Sequence, residues 1–299
     1  MYEIKKKYRT FGFRKKNKII NTMKKIFLFS LIASMFLFGC GPDEGGTEPG
    51  GSGSGGDKLA VTAVKKENLS VTVKFSGTNC PPCGSWGWAM MAELVESMEG
   101  NGFAMTAYGD NFVAENYITP EATTLQNAWG ASGYPHFGAN GSVTTIDRSQ
   151  GVYTQLEKDE IYERVNNHAS ASVKANTTLK YEVVDGKINM KYMTEAFEEV
   201  SSPYLAIYIL ENKVKGYQAG HSEGAGALHK YVLRKEVTAG QGYGSAVEGL
   251  SVGSTVSGEM TVDVDSDWDA DHLSVHCVMY NKAGTKYEFV NASNGTLVE

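Results

Sequence analysis

The sequence predicts an α/β region followed by an all-β region, and three observations lead to this prediction. Between residues 58 and 170, β-branched stretches alternate with stretches whose apolar residues recur every four positions. After about residue 170, only short strands separated by turn residues follow. A Cys-x-x-Cys pair, Cys80 and Cys83, stands where a strand gives way to a helix. Alternating patterns favour an α/β layer structure, and regular short strands favour a β-sandwich.

The first residues of the chain do not have the pattern of a folded domain. Residues 24–40 (KKIFLFSLIASMFLFGC) fit a secretory signal, and their apolar run is shorter than the ~20 residues that a membrane-spanning helix needs. Their end resembles a bacterial lipobox, which implies lipidation of Cys40; the alternative is an uncleaved anchor. We therefore expect residues 1–39 to be an upstream extension plus a lipoprotein signal peptide, and residues 40–57 a flexible Gly/Ser tether.

The distribution of charged residues limits the class of molecule that the protein is expected to bind. Ten of the 28 Lys and Arg residues lie within residues 1–25, beside one acid, and losing them leaves a net charge near −15. Such an acidic surface argues against nucleic acid as a partner. A lipid, a tether and a globular body predict a location outside the cytosol, attached to a membrane through Cys40, where paired cysteines can oxidise. No cofactor is expected.

The elements of residues 58–170 follow from local patterns. Residues 59–64 and 69–76 have strand patterns. From Pro82 onward, apolar residues recur every four positions, which indicates a helix face: Trp86, Met90, Leu94 and Met98. A strand over 103–108, a helix over 120–129, a strand over 134–141 that ends at Asn-Gly, and a helix over 154–168 complete the region. Residues 171–299 then read as short strands throughout.

The Cys-x-x-Cys pair has three interpretations that the residues leave open. As a redox pair, Cys80 would attack from a helix N-terminus, where unpaired backbone N–H groups stabilise a thiolate, and Cys83 would resolve. As a structural disulfide, the pair would only staple the turn. As a metal site it would need further ligands, for which His136 is the candidate, and we expect no metal. Trp86 is either part of a substrate groove near Cys80 or part of the core.

The strand, turn, Cys-x-x-Cys and helix, with Gly133-Tyr134-Pro135 some fifty residues later, resemble the thioredoxin superfamily. The resemblance implies that Pro135 is a cis proline packed against the cysteines, and that the backbone of Tyr134 pairs with a substrate strand. Lys74 departs from the pattern, because thioredoxins usually place a buried acid six residues before the first cysteine. A desolvated amine can nevertheless act as a base.

The chain as a whole resembles the Omp28-related outer-membrane lipoprotein family of Bacteroidetes. The phrases YLAIYILENKVKGYQ, LHKYVLRKEV and HLSVHCVMYN carry the resemblance, which covers roughly residues 60–295. It implies a thioredoxin-like domain over 58–170, a β-sandwich domain over 171–299, and a location at either face of the outer membrane.

Two hypotheses of function result. The first is thiol–disulfide exchange on protein or peptide substrates, with Cys80 and Cys83 as the catalytic residues and Tyr134, Pro135 and Trp86 binding the substrate. The second is a non-enzymatic surface lipoprotein that binds a partner through its β-sandwich, with a structural Cys80–Cys83 disulfide. In both, Cys277 is expected to be a buried free thiol, because it alternates with apolar residues of a strand.

Overall fold

The computed structural model describes residues 57–98, 100–109, 112–113, 117–145, 155–239 and 241–299. Cys40, the predicted signal peptide and nearly all of the predicted tether lie outside these residues. Residues Ser54–Glu299 belong to one compact unit. Among the described residues, no helix is long and apolar enough to cross a membrane.

The described part of the chain is mostly β-sheet with few helices. The helices are α1 (Pro81–Gly84), α2 (Trp86–Ser97), α3 (Pro120–Trp129) and α4 (Gln155–Ser170). The strands are β1 (Ser70–Ser76), β2 (Gly102–Tyr108), β3 (His136–Ala139), β4 (Ser142–Val143), β5 (Ala175–Val184), β6 (Lys187–Ala196), β7 (Pro203–Glu211), β8 (Val214–Gly216), β9 (Ala227–His229), β10 (Val232–Glu236), β11 (Ser245–Ala246), β12 (Thr255–Asp263), β13 (Leu273–Ala283), β14 (Lys286–Asn294) and β15 (Thr296–Leu297).

A nine-stranded sheet organises the molecule. Its strand order is β14-β13-β7-β10-β2-β1-β3-β4, and β11 pairs with β7. β1 and β10 each pair in parallel with β2, whereas the other neighbours are antiparallel. All seven residues of β1 are buried, as expected of a strand covered on both faces.

Helices cover the two faces of β1 with different chemistry. Val73 and Phe75 face α3, where the ring of Trp129 meets Phe75 edge-on at 5.8 Å. The alternate residues Thr72 and Lys74 point to α2, because successive side chains of a strand point to opposite faces. On that side, α2 and α4 form a second apolar cluster with β3. The face of β1 beneath α2 therefore combines polar residues with an apolar cover.

A four-stranded sheet, with the order β12-β6-β5-β15, packs against the other half of the large sheet. The shared core contains Leu179 and Ile188 of the small sheet and Ile207 and Val275 of the large one. Cys277 lies in the same core as a buried free thiol, which confirms that prediction.

Several local predictions are confirmed. The helix over 120–129 is α3 with the same bounds, and the Asn-Gly turn joins β3 to β4 as a hairpin.

Other local predictions differ from the structure. The sequence predicts one helix from Pro82 onward, whereas the chain forms two helices, α1 and α2, separated at Ser85, whose ψ of −103° is not helical. The strand predicted over 59–64 is wrong. The edge of β5 pairs with β15 at Lys180 and Tyr181. Residues 60 and 65 contact β5 through the side chains of Lys180, Thr178 and Asn176.

The proposed division at residues 170 and 171 stays a prediction, and the structure shows what the two parts share. β10 lies beside β2, and β7, β13 and β14 continue the sheet outward from β10. Strands from residues 58–170 and from residues 171–299 thus form one continuous hydrogen-bonded sheet.

A shared sheet and core predict a single cooperative unfolding transition. Leu125→Ala in α3 and Ile207→Ala in β7 each remove a fully buried side chain, so each should destabilise the whole unit by about 2–5 kcal/mol. Chemical denaturation followed by tryptophan fluorescence and by circular dichroism should give coincident curves for both variants. Leu156→Ala, at a side chain 66% exposed, is the control and should change stability by less than about 0.5 kcal/mol. Two separate transitions would contradict the prediction.

Candidate functional site: the Cys80–Cys83 disulfide

The two cysteines lie at the end of β1 and form a disulfide, with their Cα atoms 5.3 Å apart. Cys80 is the N-cap of α1, and its Sγ accepts a hydrogen bond from the backbone N–H of Cys83 at 3.3 Å. Pro81 and Pro82 occupy the first helical turn, where a missing N–H group costs nothing. The sequence thus places a sulfur atom where backbone N–H groups need an acceptor.

The sulfur atoms differ in access. Cys83 is fully buried, and Cys80 is 7% exposed. A cavity of about 340 Å³ adjoins Cys80 and is lined by Asn79, Cys80, Pro81, Pro82, Phe112, Gln126, Gly133 and Tyr134. An incoming thiol that entered this cavity would meet Cys80 and not Cys83.

Tyr134 and Pro135 flank the disulfide, and the peptide bond between them is cis. The carbonyl oxygen of Tyr134 lies 3.5 Å from Cys80 Sγ. The side-chain hydroxyl of Tyr134 donates a hydrogen bond to Gln126 Oε1 at 2.5 Å. A Cβ atom on Gly87 would lie 2.6 Å from Pro135 Cγ, so glycine is what lets α2 approach the proline. The structure therefore brings four of the predicted site residues together.

Trp86 is not brought to this cavity. Its ring lies 6.4 Å from that of Phe137 and packs against the apolar cluster of α2, α4 and β3. Its predicted role in substrate binding has no support from this packing and stays a prediction.

Phe112 lines the cavity although the sequence analysis did not select it. Its side chain is 66% exposed, and its carbonyl oxygen accepts a hydrogen bond from the backbone N–H of Asn79 at 2.8 Å. The residue lies outside the helices and strands, so no periodic pattern could have identified it.

A second feature that the sequence did not reveal is the Gln218 loop, residues 217–221. The Gln218 side-chain N–H groups lie 3.1–3.3 Å from the carbonyl oxygens of Gly77, Thr78 and Cys80. The backbone N–H of Ala219 donates to Thr78 at 2.8 Å. A Cβ on Gly220, which has φ +77°, would lie 2.1 Å from the carbonyl oxygen of Pro81. This loop therefore holds the cysteine turn from a position about 140 residues further along the chain.

Lys74 lies beneath α2 and is 3% exposed. Burial lowers the pKa of its amine to about 7. Its Nζ is 5.1 Å from the centre of the Trp88 ring. Nearby, the Tyr108 hydroxyl is 2.6 Å from His229 Nδ1, and burial, then the charge of Lys74, lowers the pKa of His229 to about 4. A basic group that changes charge near neutral pH thus lies in the core, at the position that the sequence analysis singled out.

His136, the histidine considered as a metal ligand, is buried and already hydrogen-bonded. Its Nδ1 accepts from the backbone N–H of Ser132, and its Nε2 lies 3.0 Å from the carbonyl oxygen of Thr144. Both ring nitrogens therefore have backbone partners. Within the described ranges, no group of three or more His, Cys, Asp or Glu side chains could hold a metal ion.

Fold and site together define a β-rich protein with a Cys-x-x-Cys disulfide beside a cis proline. One solved structure that the chain matches is HBP35 of Porphyromonas gingivalis, with a TM-score of 0.63 at 13% identity, over 79% of this chain and 77% of that chain. This likeness shows a shared fold. An Omp28 outer-membrane lipoprotein domain from the same organism matches at a TM-score of 0.29 and 18% identity, over 42% of this chain and 92% of that chain, and this score is too low to indicate a shared fold. No family model matches the sequence. No curated protein matches it either.

The Gln218 contacts predict that this side chain stabilises the cysteine turn. Gln218→Leu removes the donor from buried carbonyl groups and should lower the free energy of unfolding by about 1–3 kcal/mol. Gln241→Leu, at an exposed position, is the matched control and should have little effect. Denaturant titration of the oxidised proteins measures both, and an unchanged midpoint for Gln218→Leu would show that this side chain contributes nothing to stability.

The lowered pKa of Lys74 predicts a specific pH dependence of stability. Its pKa is about 7 in the folded state, whereas the ordinary pKa of a lysine amine is 10.5, so between these values the unfolded chain binds more protons and stability rises with pH. Lys74→Met should be more stable than the native protein at pH 6. The difference should shrink by about 2 kcal/mol between pH 7 and pH 9. Denaturation of both proteins across that range measures it, and a constant difference would contradict the prediction.

Proposed function

We propose that this chain is an exported protein, anchored to the outer membrane through a lipid on Cys40, that carries out thiol–disulfide exchange on protein or peptide substrates. We further propose that residues 58–170 form a thioredoxin-like domain and residues 171–299 a β-sandwich. The position of Cys80 carries the proposal for activity, because its sulfur caps α1 and faces a cavity bounded by Tyr134. The signal, the lipobox-like end and the acidic composition support the location.

The geometry suggests how exchange would proceed. A substrate thiolate in the cavity attacks Cys80 Sγ, the Cys80–Cys83 bond breaks, and the electron pair leaves on Cys83 Sγ, which takes up a proton. A second substrate thiolate then attacks the substrate sulfur of the mixed disulfide and releases Cys80 as a thiolate. The substrate gains a disulfide, and the protein gains two electrons and becomes the reduced dithiol. The reverse sequence reduces a substrate disulfide.

Three groups would serve this cycle. The Cys83 N–H that bonds Cys80 Sγ at 3.3 Å stabilises the Cys80 thiolate when it leaves. The backbone beside the cis bond, with the Tyr134 carbonyl 3.5 Å from Cys80 Sγ, lies where an extended substrate segment would pair. The Lys74 amine, six residues before Cys80 in the chain and with its pKa lowered to about 7 by burial, would act as a base.

The second candidate is a surface lipoprotein that binds a partner through its β-sandwich. It is favoured by the low exposure of both cysteines and by the bonds that hold the Gln218 loop on the carbonyl groups of the cysteine turn. In that case the disulfide would only staple the turn, and it would resist reduction. Measuring the exchange equilibrium therefore separates the two functions.

The exchange proposal predicts a trapped intermediate. Cys83→Ser should react with a disulfide-linked peptide dimer to give a stable mixed disulfide at Cys80, because the resolving sulfur is absent. Cys80→Ser should form none, because the remaining Cys83 is fully buried. Mass spectrometry of the intact protein counts the adduct. Cys277→Ser, which removes the buried thiol of the other core, is the control and should exchange as the native protein does.

Equilibration of the native protein in glutathione buffers completes the test. Exchange predicts that the Cys80–Cys83 pair passes from oxidised to reduced within the range of glutathione ratios. A pair that stays oxidised in every buffer, together with a Cys83→Ser variant that forms no adduct, would favour the structural disulfide and the binding function.

A further inference from the structure

A second cavity lies away from the cysteine site, between the sheet and α2. Its volume is about 150 Å³, and its lining is drawn from β1, α2, β2 and the residues before β10: Lys74, Trp88, Met91, Ala92, Val95, Thr106, Tyr108, Lys230 and Tyr231. Neither cysteine is part of this lining. What the cavity binds can therefore be considered apart from thiol exchange.

Lys74 is the unusual group in this lining. Within the described part of the chain, no hydrogen bond or salt bridge is found for its ammonium group, and the contact of its Nζ is with the face of Trp88 at 5.1 Å. Burying an unpaired charge is costly, and a cation–π contact offsets only part of that cost. An aliphatic side chain at the same place would serve the core better. A lysine in this position therefore calls for a functional explanation, and its place in the wall of a cavity points to a bound ligand in addition to the role as a base proposed above.

Two of the other polar groups of the wall, the hydroxyls of Thr106 and Tyr108, are already hydrogen-bonded. Thr106 Oγ1 donates to the carbonyl oxygen of Lys230 at 3.0 Å, and the Tyr108 hydroxyl is 2.6 Å from His229 Nδ1. Lys230 adds a second positive charge, and the lining contains no Asp or Glu. The charged side chains of the lining are therefore all cationic, so the cavity suits an anion.

The remaining wall is apolar and limits the size of the ligand. Trp88, Met91, Val95 and Tyr231 supply apolar and aromatic surface. A protein cavity of about 150 Å³ holds one benzene molecule, which gives the scale of the apolar part. Inorganic phosphate or sulfate would leave this surface without a partner, and a long acyl chain would exceed the volume.

We propose that this cavity binds a small apolar carboxylate, with its ring or branched chain against Trp88 and Met91 and its carboxylate paired with the Lys74 ammonium. The ion pair would supply the hydrogen-bonded partner that Lys74 lacks, and a charge-assisted bond is strong in a site of low polarity. The apolar part would fill space that is otherwise open. Lys74 is shared with the exchange proposal, but the ligand site uses neither cysteine, so benzoate binding can be present or absent whether or not the disulfide exchanges.

Proton uptake should accompany binding. The carboxylate needs the charged form of Lys74, whose pKa is about 7 without ligand, so at pH 8 binding should take up about one proton and at pH 6 almost none. The other titratable groups facing this region are Tyr108, Tyr231 and Lys230 in the lining, and His229 and His221, whose rings lie 5.4 Å and 4.4 Å from that of Trp88. The pKa of His229 is about 4, and those of Tyr108 and Tyr231 are raised by burial, so these three groups do not titrate between pH 6 and pH 8.

Calorimetric titration with benzoate tests the proposal. The native protein should bind one benzoate, about tenfold more weakly at pH 8 than at pH 6. Lys74→Met should bind it at least tenfold more weakly than the native protein at pH 6 and should lose the proton uptake. Lys286→Met, at an exposed lysine of β14, is the matched control and should bind normally. Benzyl alcohol, which has the ring without the charge, should bind the native protein and Lys74→Met about equally.

A second variant separates loss of the ligand site from misfolding. Ala92→Trp places a ring at an exposed position of the lining and leaves Lys74 in place, so it should abolish benzoate binding with little change in the unfolding midpoint. The proposal is overturned if millimolar benzoate produces no saturable heat with the native protein. It is also overturned if Lys74→Met or Ala92→Trp, shown to be folded, binds benzoate as tightly as the native protein.

Discussion

The pairing of β10 with β2 is the contact on which the architecture of the site depends. Thr106 in β2 binds the segment before β10 twice, through its backbone N–H to Tyr231 at 2.7 Å and through its hydroxyl to Lys230 at 3.0 Å. Because β7, β13 and β14 follow outward from β10, this junction makes one sheet of strands from both halves of the chain. It also brings the residues that connect β8 to β9 close to the cysteines.

The consequence is a cysteine site built from two distant parts of the chain. The first part supplies the disulfide, Tyr134 and Pro135. The second supplies Gln218 and Gly220, whose contacts with the carbonyl groups from Gly77 to Pro81 fix the turn before α1. The conformation of the cysteine turn and the packing of the later strands are therefore physically linked, whichever of the two candidate functions is correct.

Lys74 lies on β1, the strand that leads into the cysteine turn and also lines the second cavity. β1 ends at the cysteine turn, and its alternate residues face α3 on one side and α2 on the other. Among the described residues, Lys74 on the α2 side has no counter-ion, and burial lowers the pKa of its amine to about 7. The same desolvation underlies both roles proposed for this amine, as a base in the exchange cycle and as the partner of an anion in the second cavity. Both roles follow from one buried charge.

Local order was determined by the sequence alone, and long-range order only by the tertiary structure. Periodicity and turn residues predicted β1, α3, the β3–β4 hairpin and the burial of Cys277, because these depend on neighbours within a few positions. The sequence also placed the cis proline, although by resemblance. Tertiary structure decided the rest. It determined that residues 59–64 form no strand, that both halves of the chain share one sheet, and where Phe112, Gln218 and the cavity at Lys74 lie. Each of these depends on which backbone edges and carbonyl groups remain free after distant segments have packed, and a local pattern contains no information about that.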